Sequence, residues 1–124
     1  MDNKLIQLVL SRFISNKTSG FEYICEITDM YAKLRNGEIK YLWNNKVQIV
    51  ADKHNSTYGA VVRACNYQIK RAWESGIELR RIVFKDMPYR PTLTEFCSTI
   101  ADFVRNNEKE LTDNTFWETQ DEER

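Results

Sequence analysis

Apolar residues recur every third or fourth position along most of this chain, and that spacing commits it to helix. Leu5/Ile6, Val9/Leu10 and Phe13 form a first stripe, and Ile24, Ile27, Tyr31 and Leu34 a second. Helix-ending chemistry brackets each one. Asn16–Gly20 breaks the first helix. Ser19 then stands three residues before Glu22, the spacing of a capping box, in which the hydroxyl takes an orphan amide and the carboxylate reaches back. Asn36 and Gly37 close the second helix, because both tolerate left-handed backbone. A short helical piece is expected around Ile39–Trp43, then a helix over Val47–Lys53. A longer helix follows at about Tyr58–Glu74, capped by Thr57 and stopped by Gly76. Arg80–Tyr89 carries Ile82, Val83 and Phe84 in a row with prolines nearby, and reads as an extended segment or loop. Thr92 and Glu95 make a second capping box, opening a last helix with Phe96, Ile100, Phe103 and Val104 on one face. The expectation is an all-α fold, a compact bundle of about six helices, over residues 1–107. An acidic tail, frayed or disordered, is expected at 108–124, so that its removal leaves the fold intact; the alternative is that Phe116 and Trp117 pack back onto the bundle.

A chain of 124 residues can bury one core unaided. No apolar run approaches the roughly 18–20 residues of a membrane span. Arg12 interrupts the apolar start and no small-residue cleavage site follows, so Leu5–Ile14 is read as an amphipathic helix and the location as cytoplasmic. The three cysteines, Cys25, Cys65 and Cys97, are widely spaced and each falls in a helix. They read as small buried hydrophobes rather than a disulfide or zinc framework. The single histidine, His54, has no partner at metal-ligand spacing and reads as a packed or turn residue. There is no phosphate-binding glycine loop and no nucleophile with a usable base, so the chain is expected to be no enzyme and to need no cofactor. Glu22 and Glu26 share a helical face and read as solvated charge. Net charge is zero, but unevenly spread: residues 108–124 hold seven acidic and two basic residues, leaving a body of +5 and a tail of −5. A basic body is compatible with nucleic acid.

The spacing around residues 47–74 predicts a helix-turn-helix. Such a motif needs a small residue where its helices touch, a turn residue tolerant of unusual backbone angles, and a compact apolar residue facing back from the second helix. Ala51, Asn55 and Val61 supply these in order. Val47 and Val50 complete the first apolar face, and Ala64, Cys65, Ile69, Ala72 and Trp73 the second. His54 and Ser56 stand where apolar residues are usual. By helical phase Gly59, Val62, Arg63, Asn66 and Lys70 fall away from the core. Arg63 can form two hydrogen bonds to a guanine edge, Asn66 two to adenine, and Val62 can meet a thymine methyl. Gly59 admits close backbone approach, and Ser56, Thr57 and Tyr58 begin the helix where its dipole favours a phosphate. Arg80, Arg81, Lys85 and Arg90 are candidate phosphate contacts. Lys33, Arg35, Lys40 and Lys46 form a second candidate clamp.

The stretch Gly20–Gly76 resembles the DNA-binding effector domain of the stage-zero sporulation protein A family. Ala51–Thr57 carries the resemblance, with Val61, Arg63, Ala64, Ile69, Ala72 and Trp73, and it continues through Arg90-Pro91-Thr92 and Glu95-Phe96. It covers roughly residues 5–107. It implies a six-helix bundle and a bacterial transcription regulator binding short DNA boxes, often as tandem pairs. Double-stranded DNA is thus the expected partner, with self-association on tandem sites and a separate receiver or regulator protein as further ones. The family's phosphoacceptor receiver domain has no counterpart in this chain. The family also places charged residues where Ala60, Val62 and Asn66 stand, and keeps the arginine at Arg63, so its target sequence is not carried over. The alternative reading is a protein-interaction module that kept the fold, with Tyr58, Val62 and Tyr67 facing a regulator partner.

Overall fold

The computed structural model describes residues 3–40 and 45–118. All regular structure there is helical: α1 (Asn3–Ser11), α2 (Ser19–Arg35), α3 (Lys46–Lys53), α4 (Tyr58–Ser75), a π-helical turn (Leu79–Val83), α5 (Leu93–Asn106) and α6 (Glu108–Thr112). The expected piece at Ile39–Trp43 lies largely outside the described residues; Ile39 and Lys40 themselves are bends.

α2 is the central post, packed against α1, α3, α4 and α5. It inserts Ile24 and Ile27 fully into the core, where Phe96, Ile100 and Val104 of α5 and Val61 and Ile69 of α4 meet them. Gly20 allows this: a Cβ there would stand 2.6 Å from the Ala64 carbonyl oxygen, so α4 approaches the first turn of α2 closer than any side chain permits. The three cysteines are buried and free, one each on α2, α4 and α5. Burial pushes the Cys25 and Cys97 thiols up to about 12, and Cys65 upward too, so they behave as inert apolar groups.

The helix boundaries follow their caps, with one displacement. α2 is capped by Thr18, not Ser19: the extended Thr18 accepts the Phe21 amide at 3.1 Å. A capping hydroxyl serves the third helical amide, and Phe21 stands there, so no reciprocal box forms; Glu22 instead favours the positive end of the helix. Asn36 caps the far end, with Gly37 at φ 76°. At α5 the full box forms: Thr92 Oγ1 accepts from the Glu95 amide at 3.2 Å and Glu95 accepts from the Thr92 amide at 2.9 Å.

Two further segments fold differently from their sequence pattern. The segment at Arg80–Tyr89 is not extended at its start: the wider π-turn carries the chain through Val83. The Phe84 amide donates to the Leu79 carbonyl at 3.0 Å, which brings Leu79, Val83 and Phe84 inward together. Among the described residues there is no strand to pair with an extended Ile-Val-Phe run, so the backbone satisfies itself in a helical turn. The second segment is the tail. Residues 108–118 fold back, with Leu111 and Phe116 buried. Phe116 meets Phe103 edge-on at 5.1 Å, and Trp117 meets Phe13 at 5.9 Å beneath the Arg12 guanidinium, 4.2 Å from its ring. α6 is too short to show a periodicity, yet a few large side chains bury enough surface to hold it. The folded unit therefore runs past residue 107; residues 119–124 lie outside the described part.

Candidate nucleic-acid interface

α3 and α4 are joined by four residues, His54–Thr57, in a helix-turn-helix arrangement. Ala51 is fully buried at the contact, flanked by Val47 and Val50, and Val61 faces it from α4, also fully buried. Asn55 takes the left-handed conformation, φ 53°, as its position in the turn requires. That bend lets the Ser56 amide return to the Ala51 carbonyl at 2.8 Å, and Thr57 then caps α4 by accepting the Ala60 amide at 3.2 Å. Val61, Cys65, Ile69 and Ala72 form the buried stripe of α4; Ala64 and Trp73 are half-buried at its edges.

The turn is also braced from α2. Glu26 accepts from Lys53 Nζ at 2.5 Å on one carboxylate oxygen and faces His54 Nε2 at 2.7 Å on the other. The His54 ring lies edge-on against Tyr23 at 5.1 Å. His54 is thus a packed turn residue tied to α2, and Glu26 is an ion-pair partner rather than freely solvated charge. The pairing raises the Lys53 pKa, chiefly through the hydrogen bond to Glu26.

The predicted reading face divides in two. Tyr58, Val62 and Asn66 line a shallow groove of about 440 Å³, whose other wall is Lys46, Val47 and the segment Arg90–Thr94. Arg63 and Lys70 stand on the exposed side of α4, with Tyr67 and Arg71 beside them. Ser56 is half-buried and Thr57 exposed. At Gly59 a Cβ would meet Arg63 Nη1 at 3.2 Å, so the missing side chain leaves room for the guanidinium one turn on.

The basic residues also divide. Arg90 comes to the α4 groove with Lys46, one from each candidate clamp. Arg80 does not face outward as a phosphate contact; its guanidinium donates to the Trp73 carbonyl, and to that of Glu74 at 3.3 Å, closing the end of α4. A chain reading cannot distinguish such a carbonyl cap from a free cation, because the π-turn that aims it is a tertiary outcome. Arg81 and Lys85 line another cleft, of about 780 Å³, formed with Thr99, Asp102, Phe103 and Phe116, to which no residue of α4 contributes. Lys33 pairs with Asp29 at 3.1 Å and Arg35 with Asp102 at 2.9 Å; Lys40 is exposed. Tyr67 and Arg71 join the exposed face as well, and the signal for them in the sequence is their four-residue spacing on one helical face.

α4 carries three cations, Arg63, Lys70 and Arg71, and one carboxylate, Glu74, in its last turn. Among the described residues no carboxylate pairs with any of the three, whereas Arg12, Lys33, Arg35 and Lys53 are each paired. No group of His, Cys, Asp or Glu among the described residues is arranged to hold a metal ion, and no helix there is long and apolar enough to cross a membrane. Fold and face together define a helical domain whose helix-turn-helix presents a helix with three cations that no carboxylate among the described residues pairs. No protein-family model matches the chain, and no curated protein or solved structure matches it.

Proposed function

We propose that this chain is a sequence-specific DNA-binding transcription regulator that lays α4 in the major groove and acts in the bacterial cytoplasm. The observation that carries the reading is the basic face of α4: among the described residues no carboxylate pairs with Arg63, Lys70 or Arg71. Long side chains left unpaired on a braced helix suit an anionic partner, and phosphate attraction supplies most of the affinity of such proteins for DNA. Arg63 reads a guanine edge; Asn66 and Val62 read adenine and the thymine methyl from the groove wall. Ser56, Thr57, Tyr58 and Gly59 bring the start of α4 to the backbone, Lys70 adds a phosphate contact, and Lys46 and Arg90 hold the opposite side of the groove. The resemblance to the sporulation effector domains supports the same use of the fold, including self-association on tandem sites and a separate receiver protein as the source of control.

Selection from a randomised duplex pool, followed by titration of the winning site across salt concentrations, tests this. A consensus whose affinity falls steeply with salt is the expected result. No enrichment, with weak binding even at low salt, defeats it. That outcome favours the second reading, a module that binds a regulator protein, for which the exposure of Tyr58 (53%) and Tyr67 (55%) is the specific support.

A further inference from the structure

We propose that Tyr67 and Arg71, with Lys70 beside them, form a second phosphate anchor that grips the DNA backbone on the far side of the major groove from the start of α4. This rests on the DNA reading above and adds two residues to it. Arg71 Nη1 donates to the Tyr67 hydroxyl at 3.2 Å, and the guanidinium carbon lies 5.7 Å from the Tyr67 ring centre. Both side chains are exposed, so the pair has no core to support; it holds a guanidinium in place at the surface. Lys70 adjoins it, and Glu74, the only carboxylate of α4, pairs with neither cation.

The spacing fits a duplex. At about 1.5 Å per residue, Thr57 and Arg71 stand roughly 21 Å apart along the helix. The major groove is about 12 Å wide, so one end of α4 meets one strand's phosphates while Arg71 reaches the other's. Arg63 lies between the anchors, where base edges are. A guanidinium preset by a tyrosine loses less freedom when it takes a phosphate than a free one does.

The test uses the full chain and the duplex selected from the randomised pool. Arg71→Ala is expected to flatten the slope of log affinity against log salt by about 0.9, so that the drop in affinity between 50 and 200 mM salt shrinks roughly threefold. The consensus should stay unchanged. Arg71→Lys should keep the slope, since the charge remains, and Tyr67→Phe should weaken binding while leaving it. An unchanged slope and affinity in Arg71→Ala, with wild type binding normally, overturns the anchor and spares the DNA reading. So does a lowered melting temperature with an unchanged slope, which marks a helix-surface staple only, or an altered consensus, which marks a base reader. Failure of wild type to select any duplex overturns both.

Discussion

Single residues in this protein do work that their type alone does not announce. Gly20 is a contact surface: a methyl group there would press on the Ala64 carbonyl at 2.6 Å and on Gln68 Cγ at 2.7 Å. Backbone cannot step aside as a side chain can, so Gly20→Ala should destabilise by about 1–3 kcal/mol, the usual cost of overpacking. Chemical denaturation would measure it, and an unchanged midpoint would show that α2 and α4 are less tightly apposed. Arg63 works at the surface. Arg63→Ala should weaken the selected site by about 1–3 kcal/mol, the worth of a bidentate base contact, and relax the consensus at one position. An equal loss on all sequences would make it a phosphate contact instead. Asn55 and Ala51 were legible in the chain because their roles are local. Gly20 was legible only as part of a break between helices, since the carbonyl it accommodates belongs to a residue 44 positions away.

At the scale of elements, the caps set the boundaries and couple them to pH. The Thr92 backbone amide, then the Thr92 and Tyr89 hydroxyls, hold the Glu95 carboxyl below its ordinary range. The folded state therefore binds that proton less readily than the unfolded chain. The resulting stabilisation is complete above the unfolded carboxyl's pKa of about 4.3 and is lost as pH falls through the lower folded value. Glu95→Gln should thus lose less stability than wild type on acidification from about pH 5 downward, a difference visible in melting curves taken across that range. Thr92→Ala, which removes the other half of the box, should cost about 1 kcal/mol. The capping box at α5 was readable because its partners are three residues apart. The π-turn was not: Ile82, Val83 and Phe84 satisfy a strand pattern as well as a helical one, and the choice depended on whether a neighbouring strand existed to take the hydrogen bonds.

The whole molecule shows the same division. The cap signals and apolar stripes already specified a helical bundle with a helix-turn-helix, because helix caps and the 3.6-residue period act within a few residues of each other. Packing decided that the fold runs past residue 107. Leu111 and Phe116 are buried and Trp117 is ringed by Phe13, Phe103 and Arg12, so deleting residues 108–124 should lower stability by about 3–6 kcal/mol, at about 1.5–3 kcal/mol for each fully buried large side chain. Thermal unfolding of the truncated chain would check this, and an unchanged transition would return the segment to a loose tail. Packing also decided which cations are available. Sequence supplied a set of basic residues of equal standing; tertiary structure spent Arg80 on closing α4, paired Lys33, Arg35 and Lys53, sent Arg81 and Lys85 to a separate cleft, and left Lys46 and Arg90 beside α4. The chain by itself determined α1 to α5, the caps at Thr57 and Thr92 and the turn at Asn55, all set by neighbours in sequence. Only the fold decided which charges stay unpaired, because an ion pair or a carbonyl cap depends on residues brought together from distant parts of the chain.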